Sequence, residues 1–161
     1  MGRWLVFCAT GLCSLSLTGE ARGQLFPVAV GQNFEGTFSF IQPIPADTMG
    51  AVGVDHFMEL NNDEFNVYHK SDGSFAALKN INQFWVDAGV TPISTPFDPR
   101  VGYDPHARRW YAVAVDARVA ANNILFAVSD TDDPTQSWTG FAIDSDTDNS
   151  NWADWPMLAY N

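Results

Sequence analysis

The chain has 161 residues, with 19 Asp and Glu against 8 Lys and Arg, and a formal net charge of −11 at pH 7. This length suits one domain. Nucleic acids and anionic membranes bind through clustered Lys and Arg, so this acidic composition argues against both as partners.

The N-terminus has the features of a secretory signal peptide. After a basic start, residues 4–17 form an apolar run, and Ala21 and Gly23 place small side chains ahead of a cleavage site before Gln24. The run is short for a membrane span. We expect residues 1–23 to be removed and the rest to be secreted or displayed at the cell surface, without membrane insertion. A buried N-terminal helix is the alternative.

Both cysteines of the chain, Cys8 and Cys13, lie within this segment. The processed chain would therefore carry no disulfide and no thiol chemistry. Residues 24–46 would follow as an N-terminal extended segment or strand.

Beyond residue 46 the sequence alternates short β-rich runs with turn residues, which is typical of an all-β protein. The segments His56–Leu60 and Glu64–His69 flank an Asn-Asn-Asp turn, which predicts a hairpin. A short helix is predicted around 80–88. Further strands are predicted over 74–78, 109–115, 123–129 and 137–143.

Three stretches look like one repeated unit, because each opens with Asp, enters a short apolar run and meets a turn residue. They are Asp47–Gly53, Asp98–Asp104 and Asp154–Asn161. Repeats of about 40–50 residues with four strands each are typical of β-propeller blades. The sequence therefore predicts a β-propeller-like fold, with blade-like repeats at 47–97 and 98–153 and the start of a third at 154–161. A β-sandwich with chance similarity is the alternative.

The third stretch reaches Asn161 within what would be its first strand. A propeller needs at least about four blades to close its ring. We therefore expect the N-terminal part of a longer protein, with about two four-stranded blades and the first strand of a third. The remaining blades of the same chain would be its partners, since an open pair of blades leaves apolar faces uncovered.

A resemblance to a protein family agrees with this interpretation. Its motifs are Phe34–Gly36, Pro45–Gly53, Phe97–Val101, Arg109-Trp110, Ala127–Ser129, Asp133–Thr135 and Trp152–Pro156. In this order they resemble a family of large exported bacterial proteins with an N-terminal propeller-like region, often followed by fibronectin-type, dockerin-like or surface-sorting modules. The resemblance implies export and the fold, and it supplies no catalytic residues.

A second resemblance bears on chemistry. The segments Phe126–Ser129 and Asp133–Trp138 are similar to the turn between the third and fourth strands in blades of five-bladed glycosidases. Those enzymes place carboxylates at the start of their inner strands, around a central funnel. This implies Asp47, Asp98 and Asp154 as catalytic candidates. Glycoside hydrolysis needs one protonated and one ionised carboxyl group, about 5 Å apart for retention or about 6.5–9.5 Å apart for inversion.

The alternative role for the three aspartates is structural. Each carboxylate would cap a turn by accepting backbone N–H bonds before the inner strand, and the Asp98-Pro99 pair fits this role. The sequence therefore leaves open whether the protein is an enzyme.

The tryptophans are candidates either for the core or for ligand binding. We expect Trp85, Trp110 and Trp138 to pack between the blades. Trp152 and Trp155 flank the third repeated aspartate, so they are the candidates for stacking on a sugar ring. The favoured function is a module that binds or scaffolds an extracellular glycan or protein, and a glycosidase-like hydrolase is the alternative.

The acidic loop that follows the last predicted strand is a candidate calcium site. Asp144, Asp146 and Asp148 alternate along it, as suits a hard cation. The turn glycine and the distal glutamate of a helical calcium loop are absent, since Asn149 and Trp155 stand in their places. A solvated acidic loop is the alternative, and calcium is the one cofactor that the sequence suggests.

The histidines give a weaker metal hypothesis. If the hairpin turns at Asn62-Asp63, His56 and His69 lie opposite each other across its strands. Such a cross-strand pair can bind a transition metal. No third ligand is evident in the sequence.

Overall fold

The computed structural model describes residues 29–37 and 45–159. The predicted signal peptide, part of the predicted extended segment at 24–46, and the last two residues of the third repeat lie outside these ranges. The protein is all-β with one short helix, and its strands form two antiparallel four-stranded sheets. Neither sheet closes on itself within the described residues.

In each sheet the strands lie side by side in the order in which they occur in the chain. The first sheet contains β1 (Met49–Val52), β2 (His56–Leu60), β3 (Glu64–His69) and β4 (Phe75–Asn80). The helix α1 (Ile81–Asp87) follows. The second sheet contains β5 (Phe97–Asp104), β6 (Arg109–Val115), β7 (Asn123–Ser129) and β8 (Trp138–Asp144). The predictions for β2, β3, β6 and β7 are confirmed to the residue.

The hairpin of β2 and β3 has the predicted centre. Leu60 pairs with Phe65, and His56 pairs with His69 at the far end. The Asn61 side chain organises the turn, because its Oδ1 accepts the N–H groups of Asp63 at 2.8 Å and Glu64 at 2.7 Å. An asparagine that bonds to the backbone two or three residues ahead is a common device of tight turns.

The predicted short helix is confirmed as α1, with Asn80 as its N-cap. The Asn80 side chain accepts the Asn82 N–H at 2.9 Å, and Phe84 and Trp85 are buried. Just beyond the helix, the Ala88 carbonyl accepts the N–H of Gly140 in β8 at 2.7 Å. A Cβ atom at Gly140 would lie 2.7 Å from Val90 Cγ2 and 3.0 Å from this carbonyl oxygen, so the glycine permits the close approach.

One apolar core lies between the two sheets and includes the inner face of α1. Its largest side chains come from both sheets and the helix, and Trp85 and Trp110 are fully buried. The Trp110 ring lies over Gly53, and its Nε1 donates to the Asp132 carbonyl at 2.8 Å. Burial of this aromatic and aliphatic area is the main force that holds the sheets together.

The third repeated stretch differs from the prediction. Residues 151–159 contain no strand, so the expected first strand is absent from 154–159. A strand needs a neighbour that pairs with its backbone, and none of the described strands pairs with this segment.

Two buried asparagines join each sheet to the next repeated stretch. Asn62, between β2 and β3, donates to the Pro45 carbonyl at 2.9 Å and accepts the Asp98 N–H at 2.7 Å. Asn122, between β6 and β7, accepts the Ala153 N–H at 2.9 Å and donates to the Ala153 carbonyl at 2.7 Å. In each repeat, the loop after the second strand therefore holds the start of the following repeat.

Replacing Asn62 by alanine should lower the free energy of unfolding by about 2–4 kcal/mol, because it removes several buried hydrogen bonds and leaves the Asp98 N–H without an acceptor. Urea denaturation followed by circular dichroism measures this loss. Asn82→Ala is the control, since Asn82 is exposed on α1 and should change stability by less than about 0.5 kcal/mol. Equal losses in the two variants would contradict the role of Asn62.

Candidate functional site

The three repeated aspartates meet at one end of the sheets. Asp47 precedes β1, Asp98 is the second residue of β5, and Asp154 lies in the segment that follows β8. The side chains of Asp47 and Asp154 both raise the pKa of the Asp98 carboxyl group, and all three residues line one cavity. The three residues that the repeat singled out therefore form one carboxyl cluster.

The backbone of this cluster is in an unusual conformation. Asp47, Asp98 and Trp155 have positive φ angles of 46°, 51° and 55°. Short polar residues such as aspartate tolerate this left-handed region, but a bulky tryptophan does so at a cost in energy. Asp98 and Trp155 both have a positive φ angle and both precede a proline. The backbone position that Asp98 occupies in the second stretch is therefore occupied in the third stretch by Trp155, and not by Asp154.

Asp98 carries the strongest electrostatic perturbation of the site. Its side chain is buried, with the residue 5% exposed. Burial, followed by the hydrogen bonds to Asp47 and Asp154 and the charge of Asp47, raises the pKa of Asp98 to about 6, although the Trp155 N–H opposes the shift. Carboxyl groups in contact cannot all be ionised without strong repulsion, so the cluster retains a proton in weak acid.

The structural role expected for these aspartates is only partly realised. The Asp98 Oδ2 accepts a backbone N–H at 3.3 Å, but the donor is Trp155, far along the chain, and not a residue of its own turn. Asp104 makes the local kind of bond, since its Oδ1 accepts the His106 N–H at 2.7 Å. Asp98 therefore joins two repeated stretches and does not cap the strand that contains it.

Asn62 is a site residue that the sequence did not reveal. Its Nδ2 donates to Asp47 Oδ2 at 2.8 Å, and its Oδ1 accepts the Asp98 N–H. One amide side chain thus positions two members of the carboxyl cluster. The available signal was its place in the turn two residues after the apolar strand β2.

An open cavity of about 300 Å³ lies over the cluster. Trp152 and Trp155 line it and are 40% and 55% exposed. The guanidinium group of Arg100 lies 4.7 Å from the ring centre of Trp155, and that of Arg118 lies 4.8 Å from the ring centre of Phe97. The site therefore combines accessible indole rings, carboxyl groups and cationic groups around one small opening.

A larger cavity of about 620 Å³ lies elsewhere, between residues 32–36 and the strands β1 and β2. Its buried carboxylate, Glu59, is already engaged by the backbone N–H and the hydroxyl of Thr37, both at 2.9 Å. The packing of Gly36 and Thr37 on this face buries Glu59, although it lies close to the tip of a hairpin. The smaller cavity contains Asp98, whose pKa is raised, so we take it as the candidate functional site.

The acidic loop after β8 is organised by its own backbone. Asp144 Oδ1 accepts the Asp146 N–H at 3.2 Å, Asp146 Oδ2 accepts the Asn151 N–H at 2.8 Å, and Asp148 Oδ1 accepts the Ser150 N–H at 3.0 Å. Across residues 29–37 and 45–159, no three His, Cys, Asp or Glu side chains are arranged to hold a metal ion. Calcium binding by this loop stays a prediction.

Comparisons with protein families, curated proteins and solved structures find no match to the chain. The resemblances to exported bacterial proteins and to glycosidase blades therefore stay predictions. In the part of the chain that the structure describes, no helix is long and apolar enough to cross a lipid bilayer.

The raised pKa of Asp98 predicts how stability depends on pH. Between its ordinary value of 3.8 and about 6, folded Asp98 keeps a proton that the unfolded chain has lost. The free energy of unfolding should therefore fall by roughly 1–3 kcal/mol from this group as pH rises through the window. Urea denaturation at pH 4–8 measures the fall.

Asp98→Asn should remove this contribution, because an amide can donate permanently to the neighbouring carboxylates. The variant should be more stable than the wild type at pH 8, and the difference should shrink toward pH 4. Asp55→Asn, at an exposed position, should keep the wild-type profile. A wild-type profile in Asp98→Asn would refute the shared proton.

Proposed function

We propose that the protein is an exported β-propeller-like module, secreted or held at the cell surface, which binds an extracellular glycan at the carboxyl cluster. The observation that carries the proposal is the pair of exposed indole rings, Trp152 and Trp155, in one cavity with the carboxyl groups of Asp98 and its neighbours. Export rests on the N-terminal sequence features and on the family resemblance.

The propeller-like arrangement has three supports. Strands follow chain order within each sheet, whereas β-sandwiches usually connect their strands as Greek keys. The two sheets share one core, and their first strands, β1 and β5, lie together. Outward-facing Phe141 and Ile143 in β8 are half exposed, and a following blade would cover them.

The chemistry of the cavity suits a sugar. A pyranose ring has apolar C–H faces, which pack on an accessible indole ring, and hydroxyl groups, which donate to carboxylates. Arg118 adds N–H donors at the rim of the same opening. The volume, about 300 Å³, is at the small end for a ligand site, so it fits one or two sugar units of a longer glycan.

A glycosidase-like hydrolase is the second candidate, and the pKa of Asp98 near 6 favours it, because a general acid must hold a proton. The closeness of Asp98 to each of its two neighbours opposes it. Asp98 interacts with Asp47 and with Asp154 at hydrogen-bonding range, which is closer than the separation of about 5 Å or more that flanks a glycosidic bond. The geometry therefore favours binding over hydrolysis.

Glycan binding can be tested by screening an array of oligosaccharides and measuring the affinity of retained ligands by calorimetry. Trp152→Ala and Trp155→Ala should each weaken binding by about tenfold or more, because each removes a stacking surface. Phe75→Ala is the matched control, since Phe75 is exposed on β4, away from the site, and it should bind like the wild type.

Release of reducing ends from the retained glycan distinguishes the two candidates. A binding module gives none, whereas a hydrolase gives turnover that Asp98→Asn abolishes. If the array retains no glycan, or if Phe75→Ala weakens binding as much as the tryptophan variants do, the proposed binding site is wrong. An extracellular protein ligand would then be the alternative to pursue.

A further inference from the structure

A second cavity adjoins the one that lies over the carboxyl cluster. It has a volume of about 380 Å³ and shares three lining residues, Pro45, Phe97 and Arg118, with its neighbour. Its other walls include the exposed hydroxyl side chains of Ser94 and Thr95. The two cavities are therefore adjacent parts of one larger opening, and a ligand longer than one sugar unit can extend from the first into the second.

The charged side chains of the two parts differ in sign. Asp47, Asp98 and Asp154 line the cavity over the cluster, whereas no Asp or Glu among the described residues lines the second cavity. The one charged side chain that the described part of the chain contributes to the second cavity is Arg118. The chain as a whole has a net charge of −11, so this positive charge is a property of the cavity and not of the surface in general.

The guanidinium group of Arg118 is available to a ligand. The residue is exposed, and within residues 29–37 and 45–159 no carboxylate forms an ion pair with it. Arg108 differs in this respect, because it is paired with Asp132. A guanidinium group presents a planar fork of N–H donors that matches two oxygens of an anion. Arg118 therefore supplies the second cavity with a group that can bind a carboxylate or a sulfate.

Phe97 connects this cation with the indole rings of the proposed glycan site. The centre of its buried ring lies 4.8 Å from the Arg118 guanidinium carbon and 6.4 Å from the ring centre of Trp152. Because the cation and the indole ring both lie next to one phenyl ring, adjacent units of a single oligosaccharide can contact both of them.

We propose that the second cavity binds an acidic sugar unit, whose carboxylate or sulfate group pairs with Arg118 while a neighbouring unit of the same glycan packs on the indole rings. This inference rests on the proposed glycan binding and specifies the ligand as an anionic glycan. The hydroxyl groups of Ser94 and Thr95 can donate to the same anion. Negative charge in the carboxyl cluster repels an acidic unit from the first cavity, so the two cavities together also set the orientation of the glycan.

The test compares three oligosaccharides of equal length in calorimetric titrations of the full chain. They are a hexuronic acid oligomer, the neutral oligomer obtained by reducing its carboxyl groups, and a sulfated form of that neutral oligomer. At least one anionic oligomer should bind about tenfold more tightly than the neutral one, because it adds a charged, hydrogen-bonded pair. This advantage should shrink as the NaCl concentration rises. The two anionic oligomers distinguish a carboxylate ligand from a sulfate ligand.

Arg118→Gln should remove most of the advantage of the anionic oligomer over the neutral one, whereas Arg118→Lys should retain part of it, because lysine keeps the charge without the planar fork. Arg109→Gln is the matched control. Arg109 is the first residue of β6 and Arg118 follows the last, so the two arginines lie at opposite ends of that strand. The control should keep the wild-type advantage, and melting curves show whether each variant still folds.

Three outcomes would overturn the inference while glycan binding still stands. They are equal affinity of the wild type for the anionic and neutral oligomers, an undiminished advantage in Arg118→Gln, and an equal loss of the advantage in Arg109→Gln. In each case an oligomer still binds, and its dependence on Trp152 and Trp155 still tests the proposed function. If none of the three oligomers binds, the inference is wrong, and the oligosaccharide array decides the proposed function separately.

Discussion

The buried hydrogen bonds of Asn62 are the interaction on which the rest of the structure depends. Its amide ties the stretch before β1 to the start of β5, so the two sheets are joined by polar contacts at the same end where their first strands meet. Apolar burial supplies most of the stability, but it is not directional. The amide fixes the relative position of Asp47 and Asp98, and Asn122 repeats the device for the segment that follows β8.

This arrangement places carboxyl groups where they repel each other. The structure accommodates them by retaining a proton on Asp98 and by donating N–H groups from Asn62 and Trp155 to the cluster. Left-handed backbone at three positions adds strain. These unfavourable features are concentrated at one opening, beside two accessible indole rings, and they support the ligand site that we propose there, because a purely structural contact could be built from uncharged side chains.

The sequence predicted local structure well because alternation of apolar and polar residues and turn chemistry act over short distances. The hairpin of β2 and β3, its histidine pair and the helix α1 all follow from such patterns. The repeat also identified the three aspartates that meet. Contacts made by distant parts of the chain could not be read in this way. The burial of Glu59 by residues 29–37, the approach of Asp133 to His56, and the left-handed backbone at Trp155 all depend on tertiary packing.

The order of strands within each sheet has a consequence for synthesis. Every strand pairs with its immediate neighbours in the chain, so all ladder hydrogen bonds of the first sheet form between residues that leave the ribosome close together in time. Low sequence separation favours rapid folding, and units that contact mainly their neighbours fold in succession. The first sheet can thus be complete before β5 is made. The Asn62 amide is then already in position to accept the N–H of Asp98, which fixes where the next sheet begins.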